Sequence, residues 1–137
     1  MTLSGFQGLV FDLDGTLVDS MPLHLAAWEH TAREFGFRFD ADWFYELGGM
    51  PSRKIALLVA EVQQIALDPL VVTRCKTEHY VANLHKATPF PAMLDLVASS
   101  KSASKRDVSA TFVSRDKASM GWLAAFFFSE CASWRDK

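Results

Sequence analysis

Residues Gly8–Ser20 read GLVFDLDGTLVDS. The apolar run Leu9-Val10-Phe11 leads into two aspartates, Asp12 and Asp14, and Gly15 follows at once. The run has the make-up of a short buried strand, Gly8–Leu13, with glycine punctuating its end. Carboxylates at the mouth of a buried strand repel each other and lose water, so each costs free energy unless something compensates. A bound cation is the direct compensation. Side chains alternate along a strand, so Asp12 and Asp14 share one side if the strand continues through both. At the carboxyl end of a parallel strand they would meet the crevice in which α/β proteins hold ligands.

Two carboxylates so placed can divide a phosphoryl transfer. One attacks phosphorus and forms an aspartyl-phosphate; the other protonates the leaving oxygen and then activates water. Mg²⁺ with oxygen ligands would suppress the repulsion between carboxylate and phosphate. Gly15 permits a sharp turn, and Thr16 offers a hydroxyl to orient a carboxylate. A bare Asp-x-Asp is equally a solvated pair in a capped turn. The longer string, an apolar strand followed by DLDGTLVDS, is far more specific.

Beyond this stretch the pattern is helical. Met21–Phe35 reads as a helix with Ser20 as N-cap, Pro22 in the first turn and Gly36 as the stop. Leu25, Trp28, Ala32 and Phe35 form its apolar face, and Trp28 reads as core packing. Asp40 caps a short helix through Trp43, Phe44 and Leu47, and Gly48-Gly49-Met50-Pro51 breaks it. Ser52–Leu67 is the most regular segment, with Ile55, Leu58, Val59, Val62 and Ile65 at spacings of three and four. Asp68-Pro69 opens a helix to about Lys86, Thr88-Pro89-Phe90-Pro91 is a rigid turn, and Ala92–Ser99 begins one more helix. A lone early strand cannot form a sheet, so the helical block reads as an insertion into an α/β domain.

FDLDGTLVDS resembles the first motif of the haloacid dehalogenase superfamily of phosphohydrolases. DSMPLHLAAW, with His24 and Trp28, resembles the start of the helical cap in its β-phosphoglucomutase-like subfamily; so do the breaker GGMPSRKIA and the returning turn TPFPAMLDLV. Within that subfamily the similarity is greatest to fructose-1-phosphatase-like sugar-phosphate phosphatases, over about residues 6–98. The resemblance implies an α/β fold with a Rossmann-type core formed by residues 1–18 and 89–137, and an inserted helical cap over 19–88. It implies Asp12 as nucleophile and Mg²⁺ ligand, Asp14 as general acid/base with its carbonyl on the metal, and Thr16 as the orienting hydroxyl. Thr16, His24 at the start of the cap, and Gly49 and Ser52 in the loop where the cap meets the sugar, with Pro51 between them, are the implied substrate contacts. A helix N-terminus at Ser52 binds an anion on physical grounds alone. Arg53 and Lys54 are offset from the basic positions of the mutases, which favours a phosphatase over a β-phosphoglucomutase-type isomerase.

The later motifs of that family are a Ser or Thr for the phosphate, a lysine, and an acidic pair for the metal. They do not follow in order. Thr111 or Ser114 could stand for the first and Lys117 for the lysine, while Asp116 and Asp136 are isolated. Residues 100–117 are rich in Ser, Lys and Arg, and an aromatic cluster follows. The change of character reads as a shifted or shortened reading frame, leaving an incomplete core, an exposed strand edge open to self-association, and impaired turnover. A catalytically inactive fragment or interaction module is the alternative.

The bulk properties fit a small globular chain. Of 137 residues 50% are hydrophobic and 22% charged, with a net charge of −2. This balance makes no case for nucleic acid or an acidic membrane surface as partner, and the expected partner is a small phosphorylated sugar. No segment reads as a signal or a membrane span, so a cytoplasmic setting is expected. Cys75 and Cys131 form no metal or disulfide pattern, and Cys75 reads as a buried small hydrophobe. His30, His79 and His85 read as surface residues without ligand spacing.

Overall fold

The computed structural model of the chain describes residues 8–102 and 109–113. They fall into two units, one drawn from Met1–Asp19 and Ala87–Lys137, the other Ser20–Lys86.

In the first unit, β1 (Gly8–Asp12) lies parallel to β4 (Ser109–Val113), in a register running from Gly8 opposite Ser109 to Asp12 opposite Val113. Parallel neighbours require a long crossover, here nearly the whole intervening chain. Two short segments, β2 (Val18–Asp19) and β3 (Thr88–Pro89), pair antiparallel, with Val18 opposite Pro89. The expected rigid turn at Thr88–Pro91 is therefore partly strand. Phe90 N–H donates to the Leu17 carbonyl at 2.9 Å and extends the pairing. Proline is tolerated there because the ladder is two residues long and needs no donor from Pro89. The last described helix, α5 (Pro91–Ser102), opens on proline, where a missing N–H costs nothing.

The second unit is helical. Its elements are α1 (Met21–Phe35), α2 (Ala41–Glu46), α3 (Ser52–Gln63) and α4 (Pro69–Asn83), closed by a 3₁₀ turn, Leu84–Lys86. Gly36 takes φ 71° and returns its N–H to the Ala32 carbonyl, so α1 stops where a left-handed residue is tolerated. Asp40 and Asp68 cap α2 and α4 by accepting backbone N–H groups, Trp43 at 3.1 Å and Leu70 at 2.8 Å. Ser20 does not cap α1. Its backbone is already helical (φ −95°, ψ −12°), and the hydroxyl makes no cap bond.

Helix α3 ends four residues before the Leu67 that periodicity predicts. Gln64 adopts φ 54° and the N–H of Ile65 donates to the Ala60 carbonyl at 3.0 Å. The neighbouring Gln63 ties that end to the loop after α1: its Oε1 accepts the Arg38 N–H at 2.8 Å and its Nε2 donates to the Arg38 carbonyl at 2.9 Å. Ile65 and Leu67 still reach the core from the loop, whereas Val62, expected on the buried face, is exposed.

The core of this unit gathers around Phe44. Its ring lies within 5.3 Å of Trp28 and 5.0 Å of both Phe39 and Trp43, with Phe37 at 6.4 Å. Ile55, Ala56 and Val59 of α3 and Val72 of α4 complete the cluster. Aromatic pairs at these separations add to the gain from burial alone.

Two stability predictions follow from these packing and backbone features. Phe44→Ala removes the ring that four others touch, and urea unfolding should show a loss of about 3–5 kcal/mol. Gln64→Gly relieves a left-handed non-glycine residue and should raise stability by roughly 0.5–1 kcal/mol, while Gln64→Val lowers it.

Candidate active site

Asp12 is the last residue of β1, and its side chain is exposed. Alternation holds through the strand end: Phe11 and Leu13 are buried, while Val10, 73% exposed, and Asp12 face outward. It stops there. The Leu13 carbonyl accepts the N–H groups of Thr16, Leu17 and Val18 at 3.2, 3.0 and 3.1 Å, and Gly15 N–H donates to the Val18 carbonyl at 2.8 Å. The chain curls instead of continuing as strand, so the expectation that Asp12 and Asp14 share one strand face does not apply. Asp14 sits half-buried in the curl, in an isolated bridge with Val18.

Gly15 takes φ 74°, and a Cβ there would meet nothing within 4 Å. The demand for glycine is thus one of backbone dihedral and not of space. Leu17 is fully buried and Leu13 nearly so. Burial of each side chain contributes about 1.5–3 kcal/mol, and together they hold the turn that carries Asp12, Asp14 and half-buried Thr16.

The donor chemistry of this turn suits a hard cation. Carboxylate and carbonyl oxygens are the ligands Mg²⁺ takes, with water filling the remaining positions. Among the described residues no group of three or more His, Cys, Asp or Glu side chains converges as a metal site. Aspartates at this turn offer the oxygen donors that Mg²⁺ takes alongside water. Of the residues considered for the later motifs, Thr111 lies in the middle of β4 opposite Val10, not at a strand end. Ser114, Asp116, Lys117 and Asp136 lie outside the described residues.

His24, Gly49 and Ser52 belong to the helical unit. Gly49 is exposed at φ 81° in the loop before α3, and Ser52 is the first residue of that helix. Pro51 is the N-cap and has no side chain that could satisfy the first amides. His24, in the first turn of α1, is the centre of a cluster that pattern reading did not find. Lys76 of α4, only 3% exposed, places Nζ 2.8 Å from His24 Nδ1. Tyr80, fully buried, stacks on the His24 ring at 4.2 Å with planes 9° apart. The Lys76 ammonium also lies 4.7 Å from the Tyr80 ring centroid, a cation–π distance. With Lys76 as an ammonium, which only donates, His24 Nδ1 is the acceptor of this hydrogen bond. The available signal was the i, i+4, i+8 series Val72, Lys76, Tyr80, which puts a lysine on the buried stripe of α4.

Residues 9–116 match the haloacid dehalogenase-like hydrolase family, and the chain belongs to it. Fructose-1-phosphate phosphatase YqaB of Escherichia coli is 36% identical over 95 residues, covering 69% of this chain and 50% of that protein. Beta-phosphoglucomutase of Bacillus subtilis is 27% identical over 88 residues, 61% of this chain and 39% of that one. The crystal structure of beta-phosphoglucomutase from Clostridium difficile superposes with a TM-score of 0.73 at 20% identity, over 87% of this chain and 56% of that one. This likeness shows the α/β fold with its Rossmann-type core. The chain spans half the length of the first of these relatives and less of the second.

The cluster generates a prediction that separates volume from charge. Lys76→Met keeps the stem and removes a buried ammonium, so unfolding free energy should stay within about 1 kcal/mol of the wild type. Lys76→Ala leaves a cavity and should lose about 2 kcal/mol or more. Urea denaturation of both variants is the check.

Proposed function

We propose that the chain is a Mg²⁺-dependent phosphohydrolase acting on a small sugar phosphate through an aspartyl-phosphate on Asp12. The observation that carries the reading is the turn itself: an exposed aspartate ends a parallel strand, and a half-buried one follows two residues later. Family membership and the sugar-phosphate relatives support it.

In this reading the Asp12 carboxylate attacks phosphorus and the ester P–O bond breaks. Asp14, entering as the acid, gives its proton to the departing sugar oxygen. As a carboxylate, Asp14 then takes a proton from water, whose oxygen attacks the acyl phosphate, releasing inorganic phosphate and restoring Asp12. Mg²⁺, held by the Asp12 carboxylate and the Asp14 carbonyl, would offset the negative charge of nucleophile and phosphate. Thr16 orients the carboxylates. The amides of Gly15, Thr16, Leu17 and Val18 are engaged within the turn, so phosphate recognition must draw on other donors. The family resemblance assigns substrate contacts to His24, Gly49 and Ser52 of the helical unit, and Ser52 opens α3, the end of a helix that suits an anion.

The proposal includes a cytoplasmic setting; no described helix is long and apolar enough to cross a membrane. It also includes self-association through β1, which pairs on one side among the described residues and exposes Val10.

The test is phosphate release from a panel of hexose and pentose phosphates with Mg²⁺. We expect slow release from at least one sugar phosphate, falling to background in Asp12→Asn and about a hundredfold or more in Asp14→Asn. A rearranged sugar phosphate without free phosphate would indicate an isomerase. Absence of release from the wild type with every sugar would remove the proposed activity from this chain.

A further inference from the structure

Consecutive residues of α4 grip α1 through two stacked ring pairs. Tyr80 lies on His24, and His79 lies on His30 with centroids 4.3 Å apart and planes 20° from parallel. Two neutral imidazoles in that arrangement attract. Two imidazolium rings there would be like charges in contact, with part of their water removed.

The surroundings sharpen the point. His79 Nδ1 is buried and has no hydrogen-bond partner among the described residues. Protonating both nitrogens would leave an N–H there without an acceptor. Burial first, then the positive charges of His30, Lys86 and Arg33, hold His79 below the usual histidine range. Among the described residues no carboxylate contributes to this balance. On α1, Glu29 lies 3.7 Å from Arg33 in an exposed pair, and Glu34 is exposed. On α4, Arg74 and Glu78 are exposed and Cys75 is half-buried. The 3₁₀ turn adds Lys86 and an exposed His85. Helix α3, also packed on α4, buries Ile55, Ala56 and Val59 and leaves Arg53, Lys54 and Glu61 exposed.

We propose that the His30–His79 stack is an acid-sensitive joint between α1 and α4, closed while His79 is neutral and opened when both rings carry a proton. Tyr80 follows His79 directly, so opening the joint also loosens the Tyr80–His24 stack and the Lys76–His24 hydrogen bond. The sign follows from the lowered folded-state value. Stabilisation is complete above the unfolded value of 6.5. It declines as pH falls through the window between 6.5 and the lowered folded value, because there the unfolded chain binds the proton and the folded chain does not.

Imidazole NMR titration of the full chain tests this, with resonances assigned by single substitutions at His24, His30, His79 and His85. His79 should titrate below 6.5, and His30→Phe, which keeps a ring but removes the charge, should move its midpoint upward. Urea unfolding near pH 6 should take up more protons in the wild type than in His79→Phe, by up to about one proton. If His79→Phe does not fold, the wild-type titration and His30→Phe decide. A His79 midpoint at or above 6.5, a midpoint unmoved by His30→Phe, or equal pH dependence of unfolding in wild type and His79→Phe would each overturn the proposal.

Discussion

The first unit depends on how Leu13 is held. Its side chain is almost fully buried, and its carbonyl accepts the amides of Thr16, Leu17 and Val18. The first constraint fixes the depth of the strand end; the second forces the chain to curl within five residues. Between them the exposed Asp12 and the half-buried Asp14 are set on a turn they did not have to stabilise. This division of labour matters because carboxylates brought together oppose the fold unless a cation intervenes. The apolar residues and backbone amides supply the order of the turn.

The helical unit uses a different device. Phe44 makes a conventional aromatic centre, and the helix ends that bound it are set by Gly36, Gln64 and the caps at Asp40 and Asp68. The contact of α1 with α4 is built otherwise. Polar and titratable groups enter it, each on its own terms. Buried Thr31 donates its hydroxyl to the Ala27 carbonyl at 2.7 Å, Lys76 finds His24, and the His79 ring lies on the face of His30. The first two are satisfied as hydrogen bonds, whereas the third is a ring contact in which the buried His79 Nδ1 has no hydrogen-bond partner among the described residues.

Much of this was legible in the sequence, and the failures have physical causes. The strand, the boundaries of α1, the cap at Asp40 and the start of α4 follow from alternation, proline and glycine placement, and side chains that accept amides. The family likeness follows from FDLDGTLVDS and the segments after it. The early end of α3 was hidden because glutamine is a good helix former and gives no warning of a left-handed residue. Ser20 looked like an N-cap by type, but capping requires an extended backbone that this residue does not adopt. The paired strand at Thr88–Pro89 escaped notice because a two-residue ladder leaves almost no periodicity. The shared face of Asp12 and Asp14 was expected only if the strand continued, and it ends at Asp12 because three amides turn onto the Leu13 carbonyl, which leaves no mark in composition.

The deepest failure concerns α4, and it shows what apolar periodicity measures. That helix has little apolar bias, yet Val72, Lys76 and Tyr80 recur along its buried stripe, with half-buried Cys75 and His79 beside them. A method that looks for hydrophobic residues every three or four positions sees no inward face. The helix packs because its stems and rings bury carbon while their polar ends are given partners: a lysine stem ends on a histidine nitrogen, and a tyrosine ring lies flat on that histidine. Replacing such groups with leucine would satisfy burial more cheaply. Their presence therefore locates a seam held by polar groups as well as by buried carbon. It places the His24 imidazole against Lys76 and Tyr80 at the start of α1, where purely apolar packing would hold no polar group.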